Sequence, residues 1–308
     1  MILCCGEALI DMIPAPTVDG PDGFVPHPGG AVFNTAIALG RLGVRSGMLT
    51  GLSSDMFGRQ LAETLKASHV DTSLVIQSGR PTTLAFVRLV AGHAAYCFFD
   101  ENSAGRMLKP SDMPRLPAEV SALFFGGISL ASEPCAEAYS ALLEREGPDR
   151  AVMIDPNIRP RFIQDIKQYR ARLDRMVARA DIVKASDEDL NWLLPQPLSL
   201  GGKVSILLER GPSLLILTRG GEGATGFLAN GGEVHVPAVR AQISDTVGAG
   251  DTFNAGVLAK LSELGRLTKP ELAALPPEIL QQAMKHGARV AAVTVSRAGA
   301  NPPWAGEL

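Results

Sequence analysis

The chain has 308 residues, 46% of them hydrophobic and 20% charged, enough to bury a large core as one α/β domain or two smaller ones. A formal net charge of −3, with no basic run, excludes the electrostatic footprint of a nucleic-acid or anionic-lipid partner. No window nears the roughly 20 uninterrupted apolar residues of a membrane span, and the first residues lack a basic-then-apolar leader, so a cytoplasmic protein is expected.

Along the chain, short apolar or β-branched runs alternate with longer segments of helical period, the pattern of parallel strands joined by crossover helices. The first run, 2–5, carries the adjacent Cys4 and Cys5 and leads into a proline- and glycine-rich stretch, 9–28, that contains Asp11. Gly29-Gly30 then opens a helix whose Phe33, Ala36, Ile37 and Gly40 share one face, with Gly43 as its stop. A strand is expected at 46–50. The stretch 82–99 reads as two strands about an Ala91-Gly92-His93 turn and, with 9–28, as an added β-layer. Further strands are expected at 122–125, 151–154, 181–184, 214–217 and 291–295, several of them continuous apolar runs suited to strands covered on both faces. The stretch 195–202 and the pair Pro276-Pro277 read as loops. Cys4, Cys5, Cys97 and Cys135 form no CxxC pair, which points to free thiols and not a zinc site. The expectation is one main α/β domain, 1–308, with a small lid formed by 9–28 and 82–99.

The sharpest motif is Asp245-Thr246-Val247-Gly248-Ala249-Gly250-Asp251-Thr252-Phe253-Asn254, a glycine-bearing turn into a helix with Phe253, Val257, Leu261 and Leu264 on one face and Gly265 at its end. Free amides and the positive end of the helix dipole favour an anion at such a terminus. A carboxylate there would repel phosphate, yet it suits a general base that takes a hydroxyl proton during phosphoryl transfer; Asp251 could equally be a helix cap. Asn34, one turn into its helix, offers a donor and an acceptor to a polyol, or bonds locally; Asp11 is a second hydroxyl acceptor.

Three weaker features have structural readings beside functional ones. Ser186-Asp187-Glu188-Asp189 has the spacing of a helix cap. Thr218-Arg219-Gly220-Gly221-Glu222-Gly223 could approach nucleotide phosphates or make a hairpin turn. Arg159, in Asp155-Pro156-Asn157-Ile158-Arg159 at a strand end, could hold an anion or a surface ion pair. The sequence has no GxxxxGK[ST] loop, strand-linked GxGxxG, HExxH or complete GxSxG elbow.

The Gly29-Gly30 segment with Asn34 and the Asp245–Asp251 segment, in this order, make the chain resemble the ribokinase-like family of carbohydrate kinases, and within it the bacterial fructokinases. The resemblance runs nearly end to end and implies a three-layer α/β/α sandwich with a mainly parallel central sheet and a small β-sheet lid. It implies an ATP-dependent sugar kinase acting on a ketohexose, with fructose expected; a 2-keto-3-deoxygluconate kinase and a non-catalytic sugar or nucleotide sensor are the alternatives. By it, Asp251 is the base, the amides of Gly248, Ala249 and Gly250 form the anion hole, and Asp11, Gly29, Gly30, Asn34 and Arg159 meet the sugar. Lys184, Thr218, Gly220, Gly223 and Ala288 meet the nucleotide, Asp245 and Val247 border a monovalent cation such as potassium, and Asp189 organises magnesium through water. Ser186 and Asp189 stand where the family usually has Asn and Glu, and Val32 and Phe33 where fructokinases often have Pro and Ala. The resemblance also implies a homodimer formed through the lid.

Overall fold

The computed structural model describes residues 1–18, 20–90 and 93–308, with side chains outside 87–96. In chain order its elements are β1 (Ile2–Cys5), β2 (Leu9–Ala15), β3 (Gly23–Gly29), α1 (Ala31–Arg41), β4 (Ser46–Leu49), β5 (Gly51–Ser53), α2 (Met56–Ala67), β6 (Val70–Asp71), β7 (Ile76–Ser78), β8 (Leu84–Val90) and β9 (His93–Phe99). There follow β10 (Ala122–Gly126), α3 (Cys135–Glu146), β11 (Ala151–Asp155), α4 (Ile166–Val177), β12 (Ile182–Ser186), α5 (Asp187–Leu193), α6 (Leu200–Glu209) and β13 (Leu214–Thr218). The last are β14 (Ala224–Leu228), β15 (Glu233–Val236), α7 (Ala249–Glu263), α8 (Lys269–Ala273) and α9 (Pro277–Val295).

A nine-stranded sheet runs in the order β15-β14-β13-β12-β11-β10-β1-β4-β6. It is parallel from β13 to β6, with β14 and β15 antiparallel at one edge. Alternation along β1 explains the two layers. Ile2 and Cys4 point into a core shared with α1, α2, α7 and α9, while Leu3 and Cys5 point into a second core shared with α3, α4 and α6. Progression along the sheet reverses at β1, with β4 on one side and β10 on the other. A crevice beyond the carboxyl ends of the strands at such a reversal is where open α/β sheets bind ligands. A separate four-stranded sheet, β3-β2-β8-β9, stands beside it and contains the strands of 9–28 and 82–99. The Ala91-Gly92 part of the expected turn lies outside the described residues. Among the described residues no helix is long and apolar enough to cross a membrane.

Four expectations need correction. Residues 291–295 are the last turns of α9 and not a strand. Leu280, Ala283, Met284, Gly287, Val290 and Thr294 continue one buried helical stripe into that segment, and packing against α7 overrides the β-branched preference of Val293, Thr294 and Val295. The α7–α9 approach is close enough that a Cβ on Gly256 would lie 2.6 Å from Gly287 Cα. Pro277 is helical, as a first-turn proline can be, with Pro276 the residue before it. The stretch 195–202 already contains the start of α6, where Ser199 Oγ accepts from Gly202 N. The strand expected at 181–184 spans Ile182–Ser186.

Candidate active site

A cavity of about 350 Å³ opens at the sheet reversal, lined in part by Glu7, Asp11, Gly30, Asn34, Gly127 and Arg159, and by the Thr246–Asp251 turn with Lys184. On one side stands the N-terminus of α1. Its cap, Gly30, sits at φ 109°, a conformation that favours glycine. Glu7, which follows β1, lies behind it. Glu7 Oε1 accepts from Ala31 N at 3.1 Å and Oε2 from Ser129 N at 3.2 Å, so one carboxylate ties α1 to the turn after β10. Burial pushes the Glu7 carboxyl above the usual range, against these hydrogen bonds. A Cβ on Gly127 would lie 2.0 Å from Glu7 Oε1, so glycine is required there.

Opposite stands the N-terminus of α7. Gly248 is left-handed at φ 79°, and no side chain caps the helix. Ala249 N reaches Thr246 O at 3.3 Å and Thr252 N reaches Gly248 O at 2.9 Å, while the amides of Gly248, Gly250 and Asp251 donate to no other group of the described residues. Of the three amides expected to form an anion hole, two are therefore open and Ala249's makes a long bond. Asp251 is 8% exposed. Its Oδ2 accepts from Asn34 Nδ2 at 2.9 Å, and its backbone carbonyl accepts from Thr35 Oγ1 at 3.1 Å, joining the two glycine-opened helices. Burial pushes the Asp251 carboxyl up to about 7; Asn34 and Lys184 pull it down, and Asp155 and Glu7 push it up.

Asp11, on β2, also faces the cavity, and burial raises its carboxyl to about 6. A Cβ on Gly29 would lie 2.1 Å from Asp11 Oδ2, which gives the glycine pair a second purpose. Arg159 is exposed at the rim, its guanidinium turned toward the carbonyls of Asn157 and Ile158. Lys184 lies in the same cavity as Asp251 and is bound to Asp155 at 3.0 Å.

Of the other expected residues, Val247 lines the cavity with its turn, and the rest lie outside that lining. Thr218 ends β13, and Gly220 and Gly223 form the turn into antiparallel β14, the hairpin alternative. Ala288 is partly buried on α9. Asp245 holds Val247 N at 3.0 Å and Gly299 N at 2.9 Å. Asp189 completes the capping box with Ser186 and also accepts from Ile158 N at 2.8 Å, so both its oxygens are engaged by backbone. Sequence reasoning passed over Glu7, although it follows a strand end just as Arg159 does. It also passed over Phe98 and Phe162, whose rings meet edge to face at 4.3 Å on the cavity wall.

A parallel sheet with a ligand crevice at its reversal, a small flanking sheet, and a carboxylate beside an open helix N-terminus define the ribokinase-like class of phosphotransferase fold. Residues 1–305 match the family model of the pfkB family carbohydrate kinases, and the chain belongs to that family. It is 50% identical over 291 residues to a fructokinase of Rhizobium leguminosarum bv. trifolii, covering 93% of this chain and 86% of that one. It superposes on an ATP-bound fructokinase of Xylella fastidiosa with a TM-score of 0.88 at 28% identity, covering 97% of this chain and 93% of the other. A fructokinase double mutant of Vibrio cholerae O395, bound to fructose, ADP and potassium ion, superposes with a TM-score of 0.84 at 27% identity, covering 97% and 93%. The protein is thus an ATP-dependent sugar kinase.

Proposed function

We propose that the protein transfers the γ-phosphate of ATP to a hydroxyl of fructose, with Asp251 as general base. The observation that carries this reading is the buried Asp251 carboxylate, held by Asn34 beside the open amides of α7. With a carboxyl near 7, it is ionised above neutrality and basic enough to accept the hydroxyl proton as the bond to phosphorus forms. The amides of Gly248, Gly250 and Asp251 face the charge that develops on the transferring group. Asp11 and Asn34 orient sugar hydroxyls. Three carboxylates, Glu7, Asp11 and Asp251, line a cavity in which Lys184 is already paired and Arg159 stands only at the rim, an excess of negative charge that favours a neutral polyol over a sugar acid.

Magnesium, when bound with ATP, neutralises phosphate charge. The fit is an ion held by phosphate oxygens and water, with Asp189, whose two oxygens already accept from Ile158 N and Ser186 N and each keep a further lone pair, organising that water. A potassium ion of the kind carried by the Vibrio cholerae relative would border Asp245 and Val247, where each Asp245 oxygen keeps a further lone pair. The nucleotide lies toward Thr218, Gly220, Gly223 and Ala288.

The four-stranded sheet acts as the lid of a single kinase domain, excluding water so that ATP is not hydrolysed in place of transfer. Its exposed Phe24 and Phe99 flank Phe86 edge to face at 5.0 and 5.4 Å, an apolar patch suited to pairing two lids in a homodimer. Light scattering that gave a monomer mass at micromolar concentration would remove that assignment. All four cysteines are free, three of them buried, in keeping with the reducing cytoplasm.

The test is ADP release with magnesium and potassium against fructose, 2-keto-3-deoxygluconate, ribose, glucose and a nucleoside, with Asp251→Ala as the blank. Fructose should stand clear of the rest, and Asp251→Ala should lower turnover at least roughly 10²-fold with ATP binding retained. A different preferred sugar would overturn the substrate assignment. Near-normal turnover by the variant would remove Asp251 as the base, and no turnover by the wild type would favour a sensor.

A further inference from the structure

A second cavity, of about 660 Å³, opens at the end of the central sheet opposite the ligand crevice. Its floor is formed at the amino ends of β1, β4 and β10, and its walls are the last turns of α7 and the middle of α9. Among the described residues it shares no lining residue with the active site. Lys260 here and Asp251 in the active site are nine positions apart on α7, about 14 Å at the rise of an α-helix.

This cavity collects cations that the fold leaves without partners. Arg45, just before β4, Lys260 on α7, and His286 and Arg289 on α9 all line it. The side chains of Arg45, His286 and Arg289 make no hydrogen bond or ion pair among the described residues. Lys260 is paired at 2.8 Å with Glu263, the one acidic side chain among the described lining residues. Met1 and Leu308, also in the lining, bring an amino and a carboxyl group that offset one another. Burial lowers the pKa of His286, and Lys260 and Arg289 lower it further against the weaker opposing pull of Glu263, so the imidazole sits in a field of positive sign.

The chemistry of the lining narrows the ligand. Two guanidiniums and an ammonium against one carboxylate suit a dianion, and the planar donor forks of Arg45 and Arg289 match the oxygens of a phosphate. The space is that of a small-molecule pocket and exceeds what a bare ion fills. The described lining has no Phe, Tyr or Trp on which a nucleobase could stack, while Ser121, Ser262 and Glu263 offer partners to sugar hydroxyls.

We propose that this cavity is a second ligand site, for a phosphorylated sugar, whose phosphate is held by Arg45, Lys260 and Arg289 with His286 as a further donor and whose hydroxyls meet Glu263 and the two serines. Such a ligand bridges α7 to α9, helices already in close contact at Gly256 and Gly287. It does so at the end of α7 remote from Asp251 and the open amides. Hexose phosphates of the kind that a sugar kinase releases belong to this class.

The test is isothermal titration calorimetry of fructose 6-phosphate into the full chain, with the active site filled by saturating fructose and ADP, for the wild type, Arg289→Glu and Arg45→Glu. The wild type should bind one equivalent with a Kd below about 1 mM, and each charge reversal should weaken binding at least roughly tenfold. Both arginines are exposed and outside the active-site lining, so kcat/KM for fructose in each variant should stay within about twofold of wild type, which also verifies the fold. No binding by the wild type up to about 10 mM, or binding unchanged in both variants, overturns the proposal. Inorganic phosphate and adenosine 5′-monophosphate are the comparison probes, and each should bind at least roughly tenfold more weakly than the sugar phosphate. Inorganic phosphate binding as tightly would overturn the proposal by leaving a site for an adventitious ion only, and tighter binding of the nucleotide would overturn the sugar assignment.

Discussion

Helices α1 and α7 begin alike and end up in opposite electrostatic states. Each starts from a glycine at positive φ, Gly30 or Gly248, and neither has a side-chain cap. At α1 the first amide is already taken by the Glu7 carboxylate, so that terminus carries its own anion. At α7 the amides of Gly250 and Asp251 are open, with Lys184 beside them. Two glycine caps at positive φ, with ψ of 136° at Gly30 and −2° at Gly248, thus yield a filled anion site that fixes structure and an open one that can receive phosphate. The Asn34–Asp251 and Thr35–Asp251 hydrogen bonds couple the two, and the first joins the sugar side of the cavity to the phosphoryl side through side chains.

The contrast can be broken first at Glu7. In Glu7→Gln the carboxamide nitrogen can only donate, so Ala31 or Ser129 loses its acceptor; the cost should be about 1–3 kcal/mol, read by denaturant unfolding. An unchanged midpoint would mean that α1 does not depend on its internal anion. Asn34→Ala comes next. Loss of one hydrogen bond to the sugar should raise the fructose KM roughly tenfold. Because the Asn34 bond holds the Asp251 carboxyl down, the acid limb of kcat/KM should also move to higher pH. An unmoved limb would uncouple the two helices. The smallest effect is expected at Ser186→Ala, which removes one half of the α5 capping box and should cost about 1 kcal/mol with kcat unchanged. A large loss of kcat there would give the Ser186–Asp189 segment a part in metal chemistry that its backbone bonds do not suggest.

The sequence made one half of this site legible and concealed the other. Asp251, Asn34 and the glycines belong to local turn-and-helix patterns, which carry their conformational demand within a few residues. Asp155, Lys184 and Asn254 come together across 99 positions through the pairing of β11 with β12 and the docking of α7, and that register is written in no single stretch. Glu7 was passed over because a lone glutamate after a strand carries no pattern of its own. Its meaning comes from Ser129, 122 positions away. The strands of the parallel sheet were readable as apolar runs, whereas 291–295 was misread because a β-branched run inside a helix looks local and its packing partner, α7, is not. The order of strands in the sheet was likewise invisible, and it is that order that places the cavity.

The most direct measurement is the pH dependence of kcat/KM for fructose in the wild-type enzyme from pH 5 to 9, at saturating magnesium–ATP. A buried Asp251 whose carboxyl titrates at about 7 must be ionised to accept the hydroxyl proton, so activity should fall about tenfold for each pH unit below that value and level off above it. A profile flat down to pH 5 would contradict a buried carboxylate base at the open end of α7.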